Sequence, residues 1–371
     1  MKIFEAISDT NIGGAGVLLL TRLLNDPKMC SQTTVIIPEG SRLKERLEDN
    51  GIKFIELCAC QDRSFDFLAI FKYFRLLKKY SPDIVNCHGC LSFRIAAFLY
   101  GVPVRVYTRH CAFPLKKWQK NFFARAIIGR LQAVLSNEII AVAHVARDNL
   151  IEMGVKPDRI NVIINGVNGL ERLSEDKREQ IKKRLEIPDN AKVIGIFARL
   201  EACKGHMTLI EAAERLTKEN EEYRFLVVGG GRLGDKLKYE CVRRGLEKIF
   251  IFTGFIDDVT EIFNITDVNV NCSLGTETSS LALSEGMSLG IPAVASDYGG
   301  NKYMVRDGVN GLIFRAGDSG ALAECIRCVT GDSILYQKLS EGAFDRFVSE
   351  LNAKQMTRHT YDLYNKRFLN R

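Results

Sequence analysis

The sequence predicts an α/β protein of two Rossmann-like halves, and three observations carry that class. Short apolar runs alternate with amphipathic segments through residues 1–167. A polar stretch, "NGLERLSEDKREQIKKRLEIPDN", then breaks the pattern from residue 168. A second alternating series follows it. Strands alternating with helices imply a mainly parallel sheet in each half. The expected domains are 1–167 and 168–355. A last helical segment, 356–371, contains "TRHTYDLYNKRFL" and is expected to pack back on the first domain.

In the first half "MKIFEAIS" reads as a buried strand, "DTNIGGAG" as a glycine loop and "VLLLTRLLN" as a helix. "TTVIIP", "KFIEL", "DIVNCH", "VRVYTRH", "EIIAVA" and "NVIING" supply the other strands. In the second half they are "KVIGIFAR", "YRFLVVG", "IFIFTGF", "DVNVNCS", "IPAVASD" and "GLIF". Ligands of such sheets bind outside the carboxyl ends of the strands. A ligand shared by the halves therefore belongs in a cleft between them.

At 371 residues each half can bury its own core. No apolar run approaches the roughly 18 residues of a membrane span. The first twenty residues lack a signal-peptide pattern. Eleven irregularly spaced cysteines read as reduced thiols in a cytoplasm. Charge is unevenly spread: residues 1–168 carry 23 Lys/Arg against 15 Asp/Glu, and the remainder 29 against 30. The first half thus expects an anionic partner. No helix-turn-helix, zinc-finger spacing or RNA-binding aromatic motif is present, so nucleic acid is not the expected partner.

A membrane surface is the better candidate. Residues 115–132, "LKKWQKNFFARAIIGRLQ", interleave Lys116, Lys117, Lys120, Arg125 and Arg130 with Trp118, Phe122, Phe123, Ile127 and Ile128. Such a helix suits an anionic bilayer surface. A helix packed on the core by its aromatic face explains the same pattern.

Two motifs point elsewhere and fail on context. Gly229, Gly231 and Gly234 satisfy G-x-G-x-x-G, but the next strand ends in Thr253 and Gly254, without the acidic residue a dinucleotide site needs. A tight turn fits better. "CHGC" at 87–90 matches C-x-x-C, yet no thioredoxin-sized domain surrounds it. His88, at its strand end, stands out from its neighbours. Arg199 and Lys204, just after the first strand of the second half, are spaced to clamp a diphosphate. His110 occupies the corresponding kind of position in the first half. Gly13 and Gly14 would let a backbone approach a ligand closely.

"GTETSSLALSEGMSLG" holds Glu277 and Glu285 eight positions apart. In one helix they would lie about 12 Å apart and roughly 80° around the axis. That excludes the close carboxylate pair of a glycoside hydrolase, at about 5–9.5 Å. With Glu277 on a loop and Ser279 or Ser280 capping a helix, Glu285 stands one turn inside it, and the helix start is an anion site. A nucleotide-diphosphate sugar has phosphates for that site and hydroxyls at both ends for the two glutamates.

Taken in order, "IGIFARLEACKG", "LVVGGG", "FTGFIDDVTEIFNITDVNVNCS", the E-x7-E element and "VRDGVNGLIF" resemble the retaining GT-B glycosyltransferases of the family 4 type. The likeness spans essentially the whole chain. It implies GT-B architecture, two Rossmann-like domains facing each other across a cleft, with the acceptor on the first and the nucleotide sugar on the second. It implies ribose binding by Glu285 and a donor-sugar role for Glu277. Backbone N–H groups at Ser279, Ser280 and Leu281 would meet the phosphates, together with Arg199 and Lys204. His110 would lie near the transferred sugar, Gly13 and Gly14 near donor and acceptor, and the Gly254–Asp258 backbone near the base.

The sequence departs from the family where Glu277-Thr278-Ser279-Ser280 replaces Glu-Gly-Phe-Gly, and where "NKYMV" follows Gly299-Gly300 without a glutamate. There is no Asp-x-Asp, so neither a metal nor any other cofactor is expected, the nucleotide sugar being a co-substrate. The implied activity is a hexosyl transfer from a UDP-sugar, with GDP open, to a lipid-linked or saccharide acceptor in cell-envelope glycan synthesis. The implied location is cytoplasmic, on the inner face of the membrane if residues 115–132 touch it. A GT-B sugar-nucleotide epimerase is the alternative, and a dinucleotide-dependent oxidoreductase a more distant one.

Overall fold

A computed structural model of the chain describes residues 1–59, 61–219 and 222–370. The chain divides into two units, one of Met1–Val167 with Ala353–Arg371 and one of Asn168–Asn352.

The first unit holds a seven-stranded sheet: β1 (Ile3–Ile7), β2 (Thr33–Pro38), β3 (Phe54–Leu57), β4 (Ile84–His88), β5 (Val104–Arg109), β6 (Glu138–Ala141) and β7 (Ile160–Val162). Their order is β3-β2-β1-β4-β5-β6-β7, and every pairing is parallel. The second unit holds six: β8 (Lys192–Phe197), β9 (Tyr223–Val228), β10 (Phe250–Gly254), β11 (Val268–Asn271), β12 (Ala293–Ser296) and β13 (Gly311–Phe314). Their order is β10-β9-β8-β11-β12-β13, again all parallel. All thirteen apolar runs of the sequence form strands. They do so because helices cover both faces of a parallel sheet, so strand residues of either parity are apolar.

Both sheets reverse their strand order once, between β1 and β4 and between β8 and β11. Such a switch point opens a crevice at the carboxyl ends of the two strands. In the first unit those ends carry Ile7 and His88, which are register partners. In the second, Arg199 follows β8 and Ser273 follows β11.

The chain returns to the first unit at Ala353, three residues earlier than the sequence suggested. Ala353 N–H donates to Val167 O (2.9 Å), which ties the crossing points together. The returning helix, Ala353–Leu369, buries Met356, Tyr361 and Tyr364 in that unit. Arg371, the last residue of the expected 356–371 segment, lies outside the described residues. Among the described residues, no helix is long and apolar enough to cross a membrane.

Candidate active site

In the second unit the two glutamates stand as the loop-then-helix arrangement requires. Thr276 takes a left-handed backbone (φ 47°) just before Glu277. Gly299 and Gly300 back onto the same turn, where a Cβ would come within 2.2 Å of Glu277 O and 1.9 Å of Thr278 O. Any side chain at either glycine would displace Glu277. The helix Leu281–Ser288 follows, with Ser280 as its cap accepting from Leu283 N–H (3.3 Å).

Glu277 is buried and loaded on one side only. Its Oε2 accepts from Lys204 Nζ (2.7 Å), Ser273 Oγ (2.8 Å) and Asn271 Nδ2 (3.3 Å). Among the described residues nothing donates to Oε1. Asn301 Nδ2 in turn donates to Asn271 Oδ1 (3.2 Å) and Ser296 Oγ (3.2 Å), bracing this set from below. Glu285 differs. Its carboxylate has no hydrogen-bond or ionic partner among the described residues, and burial pushes its pKa up to about 7.

The two cations differ in their surroundings. Lys204 closes the short turn Ala202–Lys204 and reaches Glu277, whereas Arg199 is exposed and unpartnered among the described residues. Gly205 (φ 69°) approaches the Cys272 carbonyl so closely that a Cβ would lie at 2.0 Å, which fixes the Lys204 turn against β11. His206 then begins a helix, buried, with neither ring nitrogen partnered among the described residues. Burial first, then Lys204, lowers its pKa to about 4, so it adds no charge beside Lys204 at neutral pH.

Ser280 N–H points to Met304 Sδ (3.2 Å), a weak acceptor, and Ser279 Oγ is buried without a partner among the described residues. The first amides of the helix, from Leu281, have no intrahelical acceptor. Gly254 ends β10 with φ 73° and accepts from Gly229 N–H (2.8 Å). The glycine motif has a structural purpose: Cβ atoms at Gly229 and Gly231 would meet Ala198 O and Leu200 O at 2.1 and 2.7 Å. Bare backbone there lets the loop after β9 lie against the Arg199 loop.

In the first unit His110 is half-buried after β5, and Gly13 and Gly14 open the helix Gly14–Leu24 with free space where a Cβ would point. Sequence reasoning missed what stands behind His110. His88 Nδ1 lies 2.7 Å from His110 Nε2, and His88 Nε2 lies 2.7 Å from Glu5 Oε2. Glu5 is fully buried in β1. It also accepts from Asn86 Nδ2 (2.9 Å) and Tyr364 OH (2.8 Å), and pairs with Arg22 Nη2 at 2.8 Å. Burial alone would raise the Glu5 pKa, but Arg22, His88 and Tyr364 together hold it below the usual carboxylate range. His110 is pushed well below the ordinary histidine value, by burial first and then by His88 and Arg22. The sequence signals were His88 at its strand end and a lone glutamate inside an apolar strand.

Residues 115–132 form the short turn Lys117–Lys120 and most of the helix Phe122–Leu135. The aromatic face packs on no core: Trp118, Phe122, Phe123 and Ile127 are 60%, 77%, 72% and 68% exposed. The helix touches the unit through Gly129 instead, where a Cβ would lie 2.0 Å from Gly154 O. The ten described cysteines, with Cys87 and Cys90 of "CHGC" buried among them, form no disulfide.

Two switch-point crevices on parallel sheets, one carrying a capped helix with two carboxylates, are the architecture expected of a GT-B sugar transferase. The family model of the glycosyl transferases group 1 matches residues 177–346, and that of glycosyltransferase family 4 matches residues 12–169. The chain belongs to the GT-B glycosyltransferases of the family 4 type, enzymes that use nucleotide-sugar donors. It is 29% identical over 343 residues to an Escherichia coli UDP-Gal:alpha-D-GlcNAc-diphosphoundecaprenol alpha-1,3-galactosyltransferase, covering 89% of this chain and 88% of that one. Its fold is similar to Anabaena HepE in complex with UDP, with TM-score 0.85, 21% identity and 99% and 100% of the two chains covered. A glycosyltransferase from Rickettsia africae gives TM-score 0.84, 20% identity and 100% and 99% coverage.

Proposed function

We propose that the protein transfers a hexose from a UDP-sugar, with retention and without a metal, to a lipid-linked saccharide in cell-envelope glycan synthesis. One observation carries the donor reading: Glu285 is desolvated, unpartnered among the described residues and one turn inside a capped helix. A carboxylate in that state is unfavourable until a ligand supplies donors, and two ribose hydroxyls do so. The Escherichia coli relative, named for UDP-galactose and a diphosphoundecaprenol acceptor, supports UDP and a lipid-linked saccharide.

On this reading the free Oε1 of Glu277 takes a hydroxyl of the donor sugar. Arg199, Lys204 and the helix amides from Leu281 meet the diphosphate, whose growing negative charge they stabilise as the sugar leaves. Ser279 and Ser280 shape the turn beneath it, and the backbone at Gly254 faces the base. The acceptor hydroxyl attacks the anomeric carbon from the side that the phosphate leaves, and its proton passes to that phosphate. Gly13 and Gly14 leave room for the reacting groups, and His110 receives a sugar hydroxyl.

The exposed apolar helix supports peripheral contact with the anionic inner face of the cytoplasmic membrane. Lys116, Lys117 and Lys120 flank its start, where basic residues attract anionic headgroups. Replacing Phe122 and Phe123 by Ser should abolish co-sedimentation with anionic vesicles, and unchanged binding would discard the membrane reading.

Calorimetric titration with UDP, GDP, ADP and NAD in EDTA tests the core of the proposal. UDP binding alone, followed by transfer from UDP-galactose to a polyprenyl-diphosphate N-acetylglucosamine, is the expected result. Strict dependence on an added divalent ion would overturn the metal-free reading. NAD binding would overturn the donor reading.

A further inference from the structure

The chain Glu5–His88–His110 runs from a fully buried carboxylate to a half-buried imidazole, through two contacts of 2.7 Å. Each link restricts the next. Glu5 only accepts, so the proton between it and His88 lies on His88 Nε2. Arg22 pairs with Glu5 in the same buried space, so the charge of that carboxylate is already balanced by a cation. Thr108 Oγ1 donates to Asn86 Oδ1 (2.8 Å) and so turns the Asn86 amide nitrogen, not its oxygen, toward Glu5. A neutral His88 protonated at Nε2 presents its Nδ1 as an acceptor. The proton of the second contact must then come from His110 Nε2. His110 Nδ1 is left as a bare lone pair, and nothing among the described residues bonds to it.

We propose that Glu5 and His88 are positioning residues that lock His110 as its Nε2–H tautomer, so that Nδ1 faces the donor sugar as a hydrogen-bond acceptor only. The inference rests on the donor-sugar role of His110 given above, and deepens it. An acceptor-only nitrogen takes a proton from a sugar hydroxyl and cannot offer one to the glycosidic oxygen or the phosphate. His110 therefore serves orientation and charge relief at the sugar rather than acid catalysis. Tyr364 completes the arrangement by occupying Glu5 Oε1, leaving Oε2 to Arg22, Asn86 and His88.

Nitrogen-15 NMR of the full chain with labelled histidine reads the tautomers without any substitution at the network. A His110→Gln chain and a His88→Phe chain assign the two signals. The expected spectrum shows protonated Nε2 and unprotonated Nδ1 on both rings at neutral pH. A proton on His110 Nδ1 overturns the proposal, whatever the protein transfers. The kinetic arm uses His88→Phe, which keeps ring volume and removes both nitrogens. Turnover should fall at least tenfold while calorimetric affinity for UDP stays within threefold, because the nucleotide is held elsewhere. Turnover within twofold of wild type would show that His88 positions nothing. A wild-type chain that transfers no sugar and binds no nucleotide would instead sink the transferase reading, with the tautomer still measured independently.

Discussion

The two units treat their buried carboxylates in opposite ways. Glu5, in the first, is met on both oxygens by three hydrogen bonds and an ion pair. Glu277, in the second, is met on one oxygen only, and Glu285 on neither. Net charge follows the same divide: residues 1–167 with 353–371 carry 28 Lys/Arg against 16 Asp/Glu, and residues 168–352 carry 24 against 29. A carboxylate saturated by its own protein can orient neighbours but cannot bind. One left open is an incomplete hydrogen-bond set that a ligand completes. The first unit holds a closed geometry, and the second leaves carboxylate oxygens open.

Breaking the saturated set should cost the most stability. Arg22→Met leaves Glu5 charged and buried without its cation, for an expected loss of about 3–5 kcal/mol in urea unfolding. Glu5 has its folded pKa below its unfolded value. Its stabilisation is therefore present above the ordinary value of 4.5 and lost as pH falls through the folded pKa. The gap between wild type and Arg22→Met should close toward acid, and a gap independent of pH would contradict the pairing.

Next in size is Glu277→Gln, which should lower turnover by about 10²–10³-fold, as loss of a transition-state contact does. Nucleotide affinity should change little, and a parallel loss of UDP binding would place Glu277 at the wrong end of the donor. Glu285→Ala should do the reverse, weakening UDP by roughly 1.5–3 kcal/mol, the worth of hydrogen bonds to a charged group. Its melting temperature should not drop, since nothing among the described residues pairs with that carboxylate. Equal affinity in variant and wild type would remove the ribose assignment.

A smaller effect sharpens the same contrast. With a pKa near 7 in the free protein, Glu285 holds a proton below that pH, and hydroxyl donors favour the ionised form. UDP affinity should therefore fall as pH drops below about 7, with proton release on binding, and Glu285→Gln should flatten that dependence. The smallest stability change is Tyr364→Phe, about 1.5 kcal/mol of unfolding free energy for one hydrogen bond to a charged group.

The strands were legible because burial on both faces leaves continuous apolar runs. The E-x7-E element was legible because its residues are local: loop, cap and helix turn lie within nine positions. The relay was not. Glu5 meets Asn86, His88 and Tyr364 across 81, 83 and 359 positions, and no local pattern encodes such pairings. Residues 115–132 show a different limit. Periodicity reveals two faces but not what either meets, and the deciding contact is backbone against backbone, Gly129 on Gly154. Lys204 was expected as a site cation from its place after the strand, but its partner Glu277 is 73 positions away.

The return of the helix Ala353–Leu369 to the first unit has a consequence for synthesis. Residues 1–167 leave the ribosome first, yet their central carboxylate lacks Tyr364 until some 200 further residues have been added. At about 5–20 residues per second that wait is roughly 10–40 s. The half made first is thus completed last, after the second has every residue it needs. A stop codon or a proteolytic cut just beyond Asn352 would leave the second unit whole and disarm the first, so damage after the second unit would be felt in the domain encoded before it.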